Sequence, residues 1–252
     1  MKTLPLVGGP EWPGVALFTT TREGGVGVAP YDTFNLGVNA GDLPEAVAEN
    51  RKRLRAELPG EPLWLTQVHG AEVIDAECTA GRKPEPARAD AAVTSRPDQV
   101  LAILTADCLP VAIADLDGRV LGMAHAGWRG LAAGVLENTL AAARGKHGAA
   151  RGWRAWIGPA IGPRAFEVGA DVYDVFTAED TGAQKCFAPY PGRPGKWLAD
   201  LPALAERRLR RAGVEQVLQS GLCTHTDAAR FFSYRRDGAT GRIATLAWLT
   251  AG

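Results

Sequence analysis

The stretch Leu101-Ala102-Ile103-Leu104-Thr105-Ala106-Asp107-Cys108-Leu109-Pro110-Val111-Ala112-Ile113-Ala114-Asp115 decides how this chain is read. Two short apolar runs, residues 101–105 and 111–115, are separated by Ala106-Asp107-Cys108-Leu109-Pro110. Apolar runs of this length, bounded by turn signals, predict buried strands. The pattern continues on both sides. Residues 89–94 and 120–124 are further short apolar segments, set off by Arg96-Pro97-Asp98 and Asp117-Gly118. This is the sheet-rich centre.

Toward the C-terminus, residues 131–144 predict a helix entered through Gly127-Trp128-Arg129-Gly130. Residues 155–157 predict a strand closed by Gly158-Pro159, 171–178 a short helix, and 184–195 a Pro/Gly-rich loop. Residues 198–212 predict a helix with Leu201, Leu204, Ala205 and Leu209 on one side. Its Arg207, Arg208, Arg210 and Arg211 read as a solvated last turn that suits the helix dipole. Residues 242–249 predict a final strand. Toward the N-terminus, residues 15–20 predict a strand, followed by a turn at Gly24-Gly25 and an irregular segment over 33–42. Residues 44–58 predict a helix, with Pro44 and Glu45 in its first turn and Arg51, Lys52, Arg53 and Arg55 on a solvated face. Residues 63–68 and 72–75 predict two strands around Gly70, and 79–88 a polar connection. Strands and helices mix throughout, with no repeat and no composition break. The expectation is one α/β domain over residues 1–252, with a mixed sheet and helices against its faces.

Composition bounds the function. The 252 residues are 46% hydrophobic, enough for a sizeable core. Lys plus Arg and Asp plus Glu both number 28, so no overall field draws the molecule to nucleic acid or acidic membranes. Cys78, Cys108, Cys186 and Cys223 form no CxxC pair, which argues against a knuckle-type structural zinc site. No apolar run approaches the length of a membrane span, and no apolar signal segment follows Lys2. A reduced, cytoplasmic protein is expected.

The chain has four histidines: His69, His125, His147 and His225. His69 ends Leu65-Thr66-Gln67-Val68 and His125 ends Leu121-Gly122-Met123-Ala124, each where an apolar strand meets a loop. Cys108 also follows a strand. Two His and one Cys make a plausible three-ligand zinc site whose fourth position is open. The gaps are long, however, and by spacing alone each residue is more readily read as structural.

Three motifs change that weighting: Thr66-Gln67-Val68-His69-Gly70, Thr105-Ala106-Asp107-Cys108-Leu109-Pro110 and His125-Ala126-Gly127-Trp128-Arg129-Gly130, in that order. With Asn35-Leu36-Gly37, Gly41-Asp42, Asn50-Arg51, Ile157-Gly158-Pro159, Ile161-Gly162-Pro163, Phe232-Ser233-Tyr234-Arg235-Arg236 and Gly241-Arg242, they resemble the laccase-domain or multicopper polyphenol oxidase family. That family is also known as the YfiH-type purine nucleoside phosphorylase family. The resemblance spans nearly the whole chain. It implies a three-layer α/β/α sandwich and a catalytic Zn2+ held by His69, Cys108 and His125. It also implies phosphorolysis of adenosine, inosine, guanosine and S-methyl-5′-thioadenosine, and hydrolytic deamination of adenosine.

Residue counts help choose among the family's names. A multicopper oxidase needs a blue-copper centre and a three-copper cluster fed by many more histidines than four. A single Cu2+ in place of Zn2+ stays open, since copper outranks zinc in intrinsic affinity. For deamination, zinc would lower the pKa of water at its open position, for attack at purine C6. Asp107 is the candidate for proton handling, with a turn-forming role the alternative. For phosphorolysis, Arg51 and Arg129 are the candidate phosphate ligands, because a guanidinium matches an oxyanion in bidentate geometry. Asn35 is a candidate for the purine edge or ribose, and Trp128 for stacking on the base. Purine nucleosides and phosphate are the expected partners. A metal-free cysteine hydrolase, with Cys108 as nucleophile and His69 or His125 as base, is the competing reading.

Overall fold

The computed structural model describes residues 4–79 and 86–251; the middle of the polar connection expected over 79–88 lies outside them. In chain order the elements are β1 (Leu6–Gly8), β2 (Val15–Thr20), α1 (Pro44–Arg55), β3 (Val73–Asp75), β4 (Ala91–Thr94), β5 (Leu101–Thr105), β6 (Leu109–Asp115) and β7 (Leu121–Ala126). There follow α2 (Trp128–Ala132), α3 (Val135–Lys146), β8 (Trp153–Ile157), β9 (Glu167–Val168), α4 (Ala170–Glu179), β10 (Phe187–Pro189) and β11 (Trp197–Ala199). The chain closes with α5 (Leu201–Arg211), β12 (Gln216–Gln219), α6 (Tyr234–Asp237) and β13 (Ile243–Leu249).

One sheet has the order β12-β8-β6-β7-β4-β3, a second β1-β2-β13-β5, and a small third β10-β11-β9. The first is mixed: β12 with β8 and β3 with β4 run parallel, while the β4–β7, β6–β7 and β6–β8 ladders are antiparallel.

Alternation along the strands sorts the cores. In β6, Leu109, Val111 and Ile113 pack with Val135, Leu136 and Leu140 of α3 and with Leu204 and Leu209 of α5. Ala112 and Ala114 face the other way, into a core shared with Leu17, Leu101, Ile103 and Ala247 of the second sheet. Burial on both faces is why these strands read as unbroken apolar runs. Each fully buried Val, Leu or Ile contributes roughly 1.5–3 kcal/mol. A third core, with Leu36, Leu54, Ala102 and Leu246, fills the space between α1 and the outer face of the second sheet. Helices therefore flank the β layer on both sides, and the β layer itself is double.

Several expected boundaries move. The helix expected over 44–58 ends at Arg55, whose guanidinium donates to the Leu58 carbonyl at 2.7 Å. The helix expected over 131–144 is two, α2 and α3, separated where Gly134 takes a left-handed φ of 89°. The helix expected from 198 begins at Leu201, capped by Asp200, whose carboxylate accepts the Ala203 N–H at 2.9 Å. Residues 63–68 do not form a strand. They touch neighbours at isolated bridges, Leu63 with Leu101 and Thr66 with Arg88. The Gln67 side chain does the pairing instead, donating to the Leu104 carbonyl and accepting its N–H, both at 2.8 Å. The loop expected over 184–195 contains β10 and the end of a 3-10 turn. The α5 arginines are not simply solvated: Arg207 and Arg211 pair with Asp180 after α4, and Arg208 with Glu137 of α3.

Candidate metal centre

The centre forms where the chain changes sheets. β5 belongs to the second sheet and β6 to the first, and Ala106-Asp107-Cys108 makes the crossing. So short a crossing puts Asp107 at φ 98°, which a non-glycine residue resists. Its carboxylate holds the turn by accepting the Thr224 hydroxyl and the Arg235 N–H, each at 2.7 Å. Its carbonyl accepts the Ile161 N–H at 2.9 Å. Cys108 is thus presented, half-buried, just before β6.

His125 lies within β7, one residue from its end, rather than in the following loop. Alternation turns it to the same face as Leu121 and Met123, toward the gap between the sheets, where it is 3% exposed. His69 sits at φ 59° in a loop and is exposed.

Asp90 joins the two histidines. Buried just before β4, it accepts the backbone N–H groups of Val68 (3.1 Å), His69 (2.9 Å) and Gly70 (2.7 Å). Three successive donors onto one carboxylate hold the left-handed turn at His69. Asp90 Oδ1 also lies 2.8 Å from His125 Nδ1. A carboxylate on Nδ1 sets that nitrogen as the donor and leaves Nε2 as the ligand atom. Burial pushes the Asp90 carboxyl up, but the hydrogen bonds from His125, Gly70 and Val68 outweigh it and hold it below the usual range.

One donor atom from each of His69, Cys108 and His125 lies within 4.8 Å of the others. The histidine rings are 4.8 Å apart, edge to face. Burial pushes the Cys108 thiol up, yet His125 and His69 pull it below the ordinary thiol range. Burial alone lowers His125, and the Cys108 and Asp90 charges carry it above the ordinary imidazole range. The cluster therefore holds a thiolate ready for a metal. Backbone closes one side: a Cβ on Gly127 would come within 2.9 Å of both Cys108 Sγ and His69 Nδ1. Two imidazoles and a thiolate, with a carboxylate behind one imidazole, fit zinc's borderline preference.

The other expected residues are placed as follows. Asn35 is buried, its oxygen accepting from Gly37 N–H (2.9 Å) and Arg242 N–H (2.8 Å) and its amide donating to Asp42 (3.0 Å). It is committed to the loop, which leaves it no oxygen for a purine or ribose. Arg51 donates from Nε to the Leu36 carbonyl at 2.9 Å and stacks on Trp64 at 4.0 Å. Arg129 is exposed and stacks on Trp128 at 4.4 Å. Trp128 is itself packed against the core under α3. Both Asp107 oxygens accept hydrogen bonds that hold the crossing, from the Thr224 hydroxyl and the Arg235 N–H. A cavity of about 290 Å3 lies elsewhere, lined by Gly158, Arg164, Asp200, Ser220 and Cys223, with none of the three donors in it.

Sequence reading missed Asp90, Gly127 and Thr224 as parts of the centre. Asp90 carried the one usable signal, an acid inside an apolar strand segment. Such a residue, once buried, needs partners.

A single mixed α/β domain gathers two histidines and a cysteine, a group that could hold a metal ion, at the crossing between stacked sheets. The chain belongs to the multi-copper polyphenol oxidoreductase laccase family, whose model matches residues 16–250. It is 48% identical over 245 residues to purine nucleoside phosphorylase YfiH of Shigella flexneri, covering 95% of this chain and 97% of that protein. It is 51% identical over 251 residues to a purine nucleoside phosphorylase of Xylella fastidiosa, covering 95% and 94%. Among solved structures, protein NMB0706 of Neisseria meningitidis matches with a TM-score of 0.89 and 42% identity, over 99% of this chain and 100% of that one. The hypothetical protein YfiH of Bacillus licheniformis matches with a TM-score of 0.90 and 29% identity, over 99% and 98%.

Proposed function

We propose that this chain is a cytoplasmic, zinc-dependent purine nucleoside enzyme. It phosphorolyses adenosine, inosine, guanosine and S-methyl-5′-thioadenosine, and hydrolytically deaminates adenosine. The observation that carries this reading is the His69–Cys108–His125 cluster, exposed on its His69 side, in a chain about half identical to proteins named purine nucleoside phosphorylases. His69, Cys108 and His125 would hold the zinc, which would supply Lewis acidity there.

The chain's own groups do the rest. Asp90 fixes the His125 ring and the His69 turn, so the donors meet with little reorganisation. Asp107 holds the crossing. Trp128 and Arg129, which directly follow Gly127 in the chain, are the candidates for the base and the phosphate, with Arg51 a further cation. In phosphorolysis a phosphate oxygen bonds to ribose C1′ as the C1′–N9 bond breaks. The bonding pair goes to N9, which takes a proton, and the products are ribose-1-phosphate and free base. In deamination, water replaces the C6 amine and ammonia leaves. Equal numbers of basic and acidic residues, 28 each, give no net charge that would draw the chain to nucleic acid or an acidic membrane.

A second reading rests on the lowered Cys108 thiol beside the raised His125 imidazole, a pairing that also serves a metal-free cysteine hydrolase. A single-copper polyphenol oxidase is a third. Purified protein incubated with adenosine, with and without phosphate, separates them. Phosphate-dependent adenine, or inosine without phosphate, together with stoichiometric zinc lost in His69→Ala, is expected. Turnover no greater than that of Cys108→Ala would sink the enzymatic reading. Full activity after metal removal would favour the thiol enzyme, and phenol oxidation on copper loading the oxidase.

A further inference from the structure

Strand register places another cation at the centre. Ile243 pairs with Thr105, so Arg242, one residue earlier, stands opposite the crossing that carries Asp107 and Cys108. The Asn35 loop holds it there. The Arg242 N–H donates to Asn35 Oδ1 at 2.8 Å, and its own carbonyl accepts the Leu36 N–H at 3.1 Å. Its stem lies against Gly37, where a Cβ would come within 2.7 Å of Arg242 Cγ.

The guanidinium is fixed from one end. Nη1 donates to the carbonyls of Thr240 (2.8 Å) and Gly241 (2.9 Å). The group lies 6.0 Å from the Tyr234 ring centre. Among the described residues no hydrogen bond takes Nε or Nη2. That pair is the edge of an arginine that matches two oxygens of one oxyanion. The group is half-buried and within electrostatic reach of Cys108 and Asp107. Its attraction for an incoming anion is therefore less screened than that of an exposed arginine. Among the described residues no ion pair joins Asp107 to Arg242; the Asp107 oxygens accept from Thr224 and Arg235 instead. Arg51 has spent Nε on Leu36 and its face on Trp64, and Arg129 is exposed.

We propose that Arg242 is the guanidinium that binds inorganic phosphate in this site, edge-on through Nε and Nη2. The proposal rests on the phosphorolytic reading above. It assigns the Asn35-Leu36-Gly37 motif the task of holding that arginine.

The test is steady-state phosphorolysis with inorganic phosphate and inosine varied separately, for the wild type, Arg242→Gln, Arg242→Lys and Arg129→Gln, with zinc content and melting temperature measured on each. The loss of a charge-assisted pair predicts a phosphate KM at least about ten-fold higher in Arg242→Gln. The inosine KM should stay within about two-fold, since binding of the nucleoside is not removed. Arg242→Lys keeps the stem and charge but loses the fork, so it should fold and show an intermediate phosphate KM. Arg129→Gln should move it less. An unchanged phosphate KM in both Arg242 variants would overturn the proposal. So would an equal rise in both KM values, or loss of zinc as the main effect, which would mark Arg242 as structural. Wild-type cleavage that ignores phosphate would sink the phosphorolytic reading itself, and shows before any variant is made.

Discussion

His125 Nδ1 lies 2.8 Å from Asp90 Oδ1, the same oxygen that accepts the backbone N–H of His69. One buried carboxylate therefore sets the tautomer of one ligand and the backbone of the other. Asp90→Asn keeps the shape but loses the charge and one acceptor. Metal affinity should fall about 10–100-fold, as for other carboxylates behind ligating histidines. Competition against a chromophoric chelator measures it, and unchanged affinity would remove Asp90 from this role.

Gly127 touches the donors with no side chain between. In Gly127→Ala the new methyl would sit 2.9 Å from Cys108 Sγ and His69 Nδ1. His69 is exposed and gives way first, which opens the cluster. Zinc stoichiometry should drop well below one per chain while the far-UV circular dichroism stays native. Full occupancy would show that the loop absorbs the methyl.

The lowered Cys108 thiol has a readable consequence in metal-stripped protein. Its folded value lies below the ordinary thiol range, so the thiolate persists at neutral pH, and the raised His125 stays protonated beside it. Iodoacetamide at pH 7 should label Cys108 faster than the exposed Cys78, as read by peptide mass spectrometry. Reloading zinc should block the labelling. Slower labelling than Cys78 would contradict the thiolate.

Lys146, in the last turn of α3, bridges Asp75 and Glu77 at 2.8 Å each. Hydrogen bonds from Lys146 and Ser95 lower Glu77 from 4.5 to about 2. A depressed carboxyl stabilises the fold above its unfolded value, and that contribution disappears as pH falls from 4.5 toward about 2. Partial exposure keeps it under about 1 kcal/mol, or a few degrees of Tm at most. Glu77→Gln should therefore melt slightly earlier at pH 7, with the gap closing in acid. A gap that widens in acid would reverse the assigned sign.

Asn35→Ala should act on stability. It would leave the buried N–H of Gly37 without its acceptor, at roughly 1–3 kcal/mol before relaxation, and the half-buried N–H of Arg242 at less. A lower Tm with an unchanged inosine KM fits that role, whereas a raised inosine KM at native Tm would return Asn35 to the substrate.

The three donors were legible in the chain because each lies inside a distinctive motif beside an apolar segment. The central strands were legible because burial on both faces leaves nearly unbroken apolar runs at residues 101–105 and 109–115. Such a run records that a segment is buried but not which sheet buries it. Only the tertiary structure shows that β5 and β6 lie in different sheets, and so why Cys108 sits at their crossing. Partners distant in the chain leave no local pattern either. Asp90 meets His125 from 35 residues away, and Asp107 meets Thr224 from 117. The motifs pointed to His69, Cys108 and His125, and the fold brings one donor atom of each within 4.8 Å of the others. Packing decided which carboxylate orients them, which one holds the crossing, and which arginine stands opposite it.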